Sequence, residues 1–349
     1  MSEGCDYTPA SWSAGDTFAS ARAAYDVHVG RSYDDAVDKG LTASDLLPDS
    51  ITTDVEAPVV ILTDETGSMG SWPATIFSKL GYLDHELESY MGPSTALAFG
   101  AFGDATCNER YPVQMRPFGR GQDLQKYLLE LVIEGGGGGQ QTESAELAML
   151  YVDRNVHAPN ATKPVLILIT DEMAYSDISA EMAKRWSKAS LAKSLSIKEM
   201  IESLKSKWSV YVVRKPYQNT NIDSEDFTNR TIREFWEKLV GADHIALLPD
   251  ASRVVDVIFG ILAAETGKIN EFREELTDRQ LKDADGVVKV KTALKALHTI
   301  HHSVLAGSRQ LPAGKSVKKL PAPDNQLSRT HRPDNGSTTR KSKGLLDGK

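Results

Sequence analysis

The sequence predicts an α/β chain: a doubly wound, mostly parallel six-stranded sheet with helices on both faces, plus an N-terminal extension and a C-terminal helical segment. Short aliphatic runs without polar alternation, such as Val59 to Leu62 and Val165 to Ile169, read as strands buried on both faces. Segments with apolar residues spaced three and four apart lie between them and read as helices. Three of the strands stop on a carboxylate, at Asp64, Asp104 and Asp171, and ligands of such sheets bind beyond the carboxyl ends of the strands.

Residues 1–54 form the N-terminal extension. A short helix is expected from Asp16 to Tyr25, and Trp12, Phe18 and Tyr25 are expected to pack on the following domain, because the extension has too few apolar residues for its own core. His28, alone between Val27 and Val29, reads as structural. The main domain is placed at residues 55–266. Its first strand leads into Asp64-Glu65-Thr66-Gly67-Ser68, with Gly67 and Gly70 letting the backbone turn. A helical pattern then runs from Trp72 to Tyr90 through Ile76, Leu80, Leu83 and Leu87, with Pro73 tolerated in the first turn. Ala96 to Asp104 is the second strand. Tyr111 to Phe118, interrupted by Pro112 and Pro117, suits an edge strand, and Leu124, Leu128, Leu131 and Val132 mark the next helix.

Five consecutive glycines, Gly135 to Gly139, open into a helix that begins near Thr142. A glycine run of this kind is either a linker or a place where backbone approaches a bound ion closely; its position between two helices of one domain favours the second reading. Pro164 to Asp171 is the strongest buried strand and is followed by Glu172. Met173 to Leu195 reads as helical, either a lid or an extra surface helix. Trp208 to Val213 and His244 to Leu248 complete the strands, with Phe235, Trp236, Leu239 and Val240 on one helix and Val254 to Leu262 on another.

Gly267 marks the end of the main domain. Residues 267–306 read as a helical appendage in which Asp285-Gly286 turns between two helices that cover one sheet face or dock a partner. Residues 307–349 carry four prolines and few large aliphatic side chains, and read as a disordered basic tail. That tail has ten Lys and Arg against three Asp, a net of +7, so the preceding residues carry −15 of the overall −8. An acidic body suits a site that gathers cations and makes nucleic acid an unlikely partner except through the tail; the tail lacks Phe, Trp and Tyr for base stacking. Cys5 and Cys107 are too few for a disulfide framework. With no signal-like start and no span-length apolar run, the sequence points to a cytoplasmic or virion-internal protein.

The Asp64-x-Thr66-x-Ser68 stretch resembles the metal-ion-dependent adhesion site (MIDAS) of von Willebrand factor A (VWA) domains, with Thr66 in place of the usual Ser. Two later loops match in order. Thr142 is the best match to the family's second-loop Thr, Ser144 is the alternative, and Glu143 and Glu146 have no counterpart. Thr170-Asp171-Glu172 matches the third loop with an acid in place of the usual Gly. The resemblance covers about residues 55 to 265 and is strongest to intracellular bacterial or phage-encoded members, several of which work beside MoxR-type AAA ATPases. It implies one Mg²⁺ or Mn²⁺ held by Asp64, Thr66, Ser68, Thr142 and Asp171, and a protein ligand that presents a carboxylate to the metal, as in an adaptor or assembly factor. A donor set of oxygen alone suits a hard cation. The competing reading is a Mg-dependent phosphohydrolase with Asp64 as nucleophile. Thr66 then stands where a second Asp would act as general acid and base, and no later Lys motif is evident. No enzyme is therefore expected.

Overall fold

A computed structural model describes residues 33–137, 141–218, 225–248, 250–282 and 284–305. The expectations for Trp12, Phe18, Tyr25, His28 and the basic tail lie outside these residues. The sheet has six strands: β1 (Ala57–Asp64), β2 (Thr95–Phe102), β3 (Val113–Met115), β4 (Val165–Thr170), β5 (Ser209–Arg214) and β6 (Ile245–Leu247). Their spatial order is β6-β5-β4-β1-β2-β3. All neighbours pair in parallel except β2 and β3, which are antiparallel. The fold is thus mixed α/β with a mostly parallel sheet. The chain runs outward from β1 to β3, then restarts on the other side of β1 with β4, so the order reverses between β1 and β4.

Every residue of β1, β2 and β4 is buried, which is why these strands show no polar alternation. Side chains alternate between two apolar layers. Val59, Ile61, Leu97, Phe99, Ile167 and Val213 face one, with helices α1 (Trp72–Leu80), α2 (Leu83–Met91) and α3 (Gly121–Leu129). Val60, Leu62, Ala98, Leu166, Leu168 and Val212 face the other, with α4 (Ala145–Asn155), α5 (Ile197–Lys205) and α6 (Phe227–Val240). The first layer is completed by α7 (Val254–Thr266), α8 (Ile269–Gln280), α9 (Gly286–Ala296) and α10 (His298–Leu305).

Four local expectations are revised. The helical run from Trp72 is two helices parted at Gly81 and Tyr82, where the Tyr82 N–H turns back to Lys79 O; a mid-run glycine is the weakest point of a helix. Met173 to Leu195 is not a helix. Two-residue strands at Met173–Ala174 and Asp177–Ile178 precede a short helix, Ala180–Trp186, which stops where Lys188 takes a positive φ of 52°. The expected edge strand narrows to Val113–Met115. The segment after Gly267 forms three helices, and Phe272, Leu276, Ala293, Leu297 and Ile300 join the core of the sheet. A Cβ on Gly260 would come within 2.1 Å of Leu297 Cδ1, so the close approach of α7 to this layer requires glycine.

Candidate metal site

Asp64 is the last residue of β1 and is wholly buried. Its Oδ1 accepts from the Thr66 backbone N–H at 2.9 Å and the Thr66 hydroxyl at 2.6 Å, while Oδ2 accepts from the Thr170 hydroxyl at 2.8 Å. Residues Gly67–Met69 form a 3₁₀ turn that places Ser68 beside Thr66, with 3.1 Å between their hydroxyl oxygens. The Ser68 hydroxyl donates to Asp171 Oδ1 at 2.9 Å. The two hydroxyl oxygens lie within hydrogen-bond distance of each other and link Asp64 to Asp171 in one chain of polar contacts. This arrangement sits between β1 and β4, where the strand order reverses, which is where open α/β sheets bind ligands.

Lys215, immediately after β5, enters the same site. Its Nζ donates to Asp171 Oδ2 at 2.7 Å and to Ser68 O at 2.8 Å. A single Lys after a strand matches no sequence pattern; only the parallel register of β4 and β5 brings it alongside Asp171.

Gly135 to Gly137, the described part of the glycine run, approach the other side. Gly136 O accepts from Gly67 N–H at 2.8 Å. A Cβ on Gly137, whose φ is 121°, would lie 3.1 Å from Glu143 Oε1 and 3.6 Å from Thr66 Cβ. The second-loop alternatives now separate. Thr142 pairs with Met173 in a short parallel bridge and its side chain bonds Tyr175. Ser144 lies toward Asp104, its hydroxyl accepting from Ala105 N–H at 3.0 Å. Glu143 lies beside Gly137, and its Oε2 is buried without a hydrogen-bond partner, as is Oε2 of Glu172. Hydrogen bonds link Asp64, Thr66, Ser68 and Asp171, whereas the Thr142 side chain bonds Tyr175.

A second Asp-x-Thr turn lies at the end of β2. Asp104 Oδ1 accepts from Thr106 N–H at 2.9 Å and the Thr106 hydroxyl at 2.7 Å. Cys107 Sγ donates to Oδ2 at 3.1 Å, and the Tyr175 hydroxyl lies 3.1 Å from Oδ2. Between the two turns, the carboxyl of Glu109 fills space that Gly103 and Gly136 leave open.

Burial governs the electrostatics. It pushes Asp64 up to about 7, with Asp171 adding to the effect. Burial and then Asp171 raise Glu172 to about 9, and burial and then Glu172 hold Glu143 well above the carboxylate range. Glu146 rises to about 8 by burial, and Glu65 and Glu109 are raised by burial and by neighbouring acids. So much buried acid without counter-charge is costly.

The side chains joined here, two carboxylates and two hydroxyls, offer oxygen alone, the donor type that hard divalent cations take. Among the described residues no three His, Cys, Asp or Glu side chains gather as a metal-holding group, so the set that converges is two hydroxyls between two carboxylates. Among the described residues, no helix is long and apolar enough to cross a membrane.

No protein-family model matches the chain, and no curated protein matches it. Solved structures do. The pilus adhesin SpaC from Lactobacillus rhamnosus GG is 12% identical, with a TM-score of 0.44 over 64% of this chain and 32% of the adhesin. Proximal thread matrix protein 1 from the mussel byssus is 14% identical, with a TM-score of 0.40 over 62% of this chain and 48% of that protein. The chain therefore spans about a third of the adhesin's length and about half of the matrix protein's.

Proposed function

We propose that this chain is a VWA-like, doubly wound module that holds one Mg²⁺ or Mn²⁺ at the ends of β1 and β4 and uses it to bind a protein partner through a carboxylate. The observation that carries the reading is the run of carboxylate and hydroxyl oxygens, Asp64, Thr66, Ser68 and Asp171, gathered where the strand order reverses. A donor set of oxygen alone suits a hard cation. Thr66 and Ser68 would hold the ion directly; Asp64 and Asp171 would orient those hydroxyls and balance its charge. Glu143, beside Gly137 with a buried unpartnered carboxyl oxygen, would be the second-loop ligand in place of Thr142, whose side chain bonds Tyr175. When bound, the ion supplies an electrophilic position that a partner's carboxylate can occupy.

Calorimetry with Mn²⁺ tests the reading. The wild type should bind one ion, and Asp64→Ala should lose that binding. Equal binding by both would place the metal elsewhere.

A further inference from the structure

A cavity of about 770 Å³ opens beside β6, and its charge is opposite to that of the metal loops. Arg214, Arg233, Arg273 and Lys295 line it against one carboxylate, Glu237, in a chain whose net charge is −8. Arg233 is taken up by Glu237 at 2.8 Å and by Glu225 at 2.9 Å, so the cavity's charge rests on the other cations. Arg214, the last residue of β5, has only 1% of its surface exposed. Its Nη2 donates to Asn229 O at 3.1 Å, its Nε has no hydrogen-bond partner, and among the described residues it makes no ion pair. Arg273 Nε is likewise buried and unpartnered. A guanidinium buried without an anion is costly, and its planar fork matches the oxygens of a phosphate or carboxylate.

The cavity also has an apolar wall, made by Ile245, Leu247 and Leu294, and a stacked pair of rings, His298 and His302, with centroids 5.9 Å apart. Its volume falls in the range of small-molecule sites. We propose that this cavity binds a small organic phosphate, with the phosphomonoester on Arg214 and Arg273 and an apolar body against Ile245, Leu247 and Leu294. Burial draws Arg214 down to about 10, which leaves it cationic at neutral pH. The preference for a phosphate dianion over a carboxylate follows from the excess of cations over acids. The site shares no residue with the metal loops and does not depend on the metal reading.

Phenyl phosphate titrated into the full-length protein tests the proposal, beside benzoate and uncharged benzyl alcohol. Phenyl phosphate should bind at least about tenfold more tightly than either. Arg273→Gln should weaken it by about tenfold or more without shifting the melting temperature of the ligand-free protein, because Arg273 is only partly buried. Arg214→Gln should abolish binding if it folds; Arg273→Gln carries the test if it does not. Absence of binding to the wild type, equal affinity for benzyl alcohol, tighter binding of benzoate, or an unchanged affinity in Arg273→Gln would each overturn it.

Discussion

The two Asp-x-Thr turns at the ends of β1 and β2 are nearly the same object. In each, Oδ1 of the Asp accepts from the Thr N–H at 2.9 Å and from its hydroxyl at 2.6 or 2.7 Å. Their surroundings differ. The Asp104 carboxylate takes further donors from Cys107 and Tyr175. Asp64 takes one from Thr170, its hydroxyl chain runs on through Ser68 to a second carboxylate, Asp171, and one carboxyl oxygen each of Glu143 and Glu172 is buried without a hydrogen-bond partner. The local motif sets only a turn. What distinguishes a candidate cation site from a closed polar cluster is whether the next layer supplies donors or more acceptors.

The strongest way to break this comparison is to delete each carboxylate. Asp64→Ala should weaken Mn²⁺ binding by at least about a hundredfold, as loss of a partner at a buried charged site costs roughly 3 kcal/mol or more. Asp104→Ala should leave the affinity within about threefold while lowering stability, since it removes the acceptor of the Thr106 N–H and of the Thr106 and Tyr175 hydroxyls. Calorimetry and thermal melting of the two variants read both effects; a large loss of metal binding in Asp104→Ala would erase the distinction.

Lys215→Met sharpens it. Lys215 is the cation that Asp171 now holds, so its removal should tighten Mn²⁺ binding by about tenfold, the order of one screened charge interaction at a few ångströms. Weaker binding in the variant would mean that Lys215 positions Asp171 instead of competing for it.

The acids make stability fall with pH. Asp64 at about 7, Glu146 at about 8 and Glu172 at about 9 are all raised above their ordinary values. The folded state therefore binds more protons than the unfolded one between those values, and ∂ΔG/∂pH is negative. Their favourable contribution is complete below the unfolded values near 4 and is lost as pH rises toward 9. The metal-free melting temperature should drop across that window, and Mg²⁺ should reduce the drop by binding the ionised form. Glu146→Gln should remove part of the slope while leaving metal affinity unchanged, because its carboxylate faces Tyr175 N–H, not the hydroxyl pair.

The smallest effect is expected for Tyr175→Phe. It removes a hydroxyl within 3.3 Å of both Asp104 oxygens and should cost about 1 kcal/mol, read as a modest fall in melting temperature, with no change in metal affinity.

Much of this was legible in the sequence where the physics is local. Val59 to Leu62 and Val165 to Ile169 announce buried strands because both their faces are covered. Asp64, Thr66 and Ser68 are close in sequence, and Asp171 ends the strand beside theirs. The rest depends on contacts across long separations. Lys215 reaches Asp171 only through the register of β4 and β5, and Tyr175 reaches Asp104 only because the chain after Glu172 leaves the sheet as a short bridge instead of a helix. Thr142 and Glu143 are adjacent, and the parallel pairing of Thr142 with Met173 and of Glu143 with Ala174, residues far apart in the chain, fixes where each of them lies. The basic cavity draws on Arg214, Arg233, Arg273 and Lys295, residues that share no spacing.

The most direct measurement is an anomalous difference map from crystals grown with Mn²⁺. A single strong peak is expected within about 2.2 Å of both Thr66 Oγ1 and Ser68 Oγ. A peak at the Asp104 turn, or none at the Thr66 and Ser68 hydroxyls in crystals saturated with Mn²⁺, would contradict it.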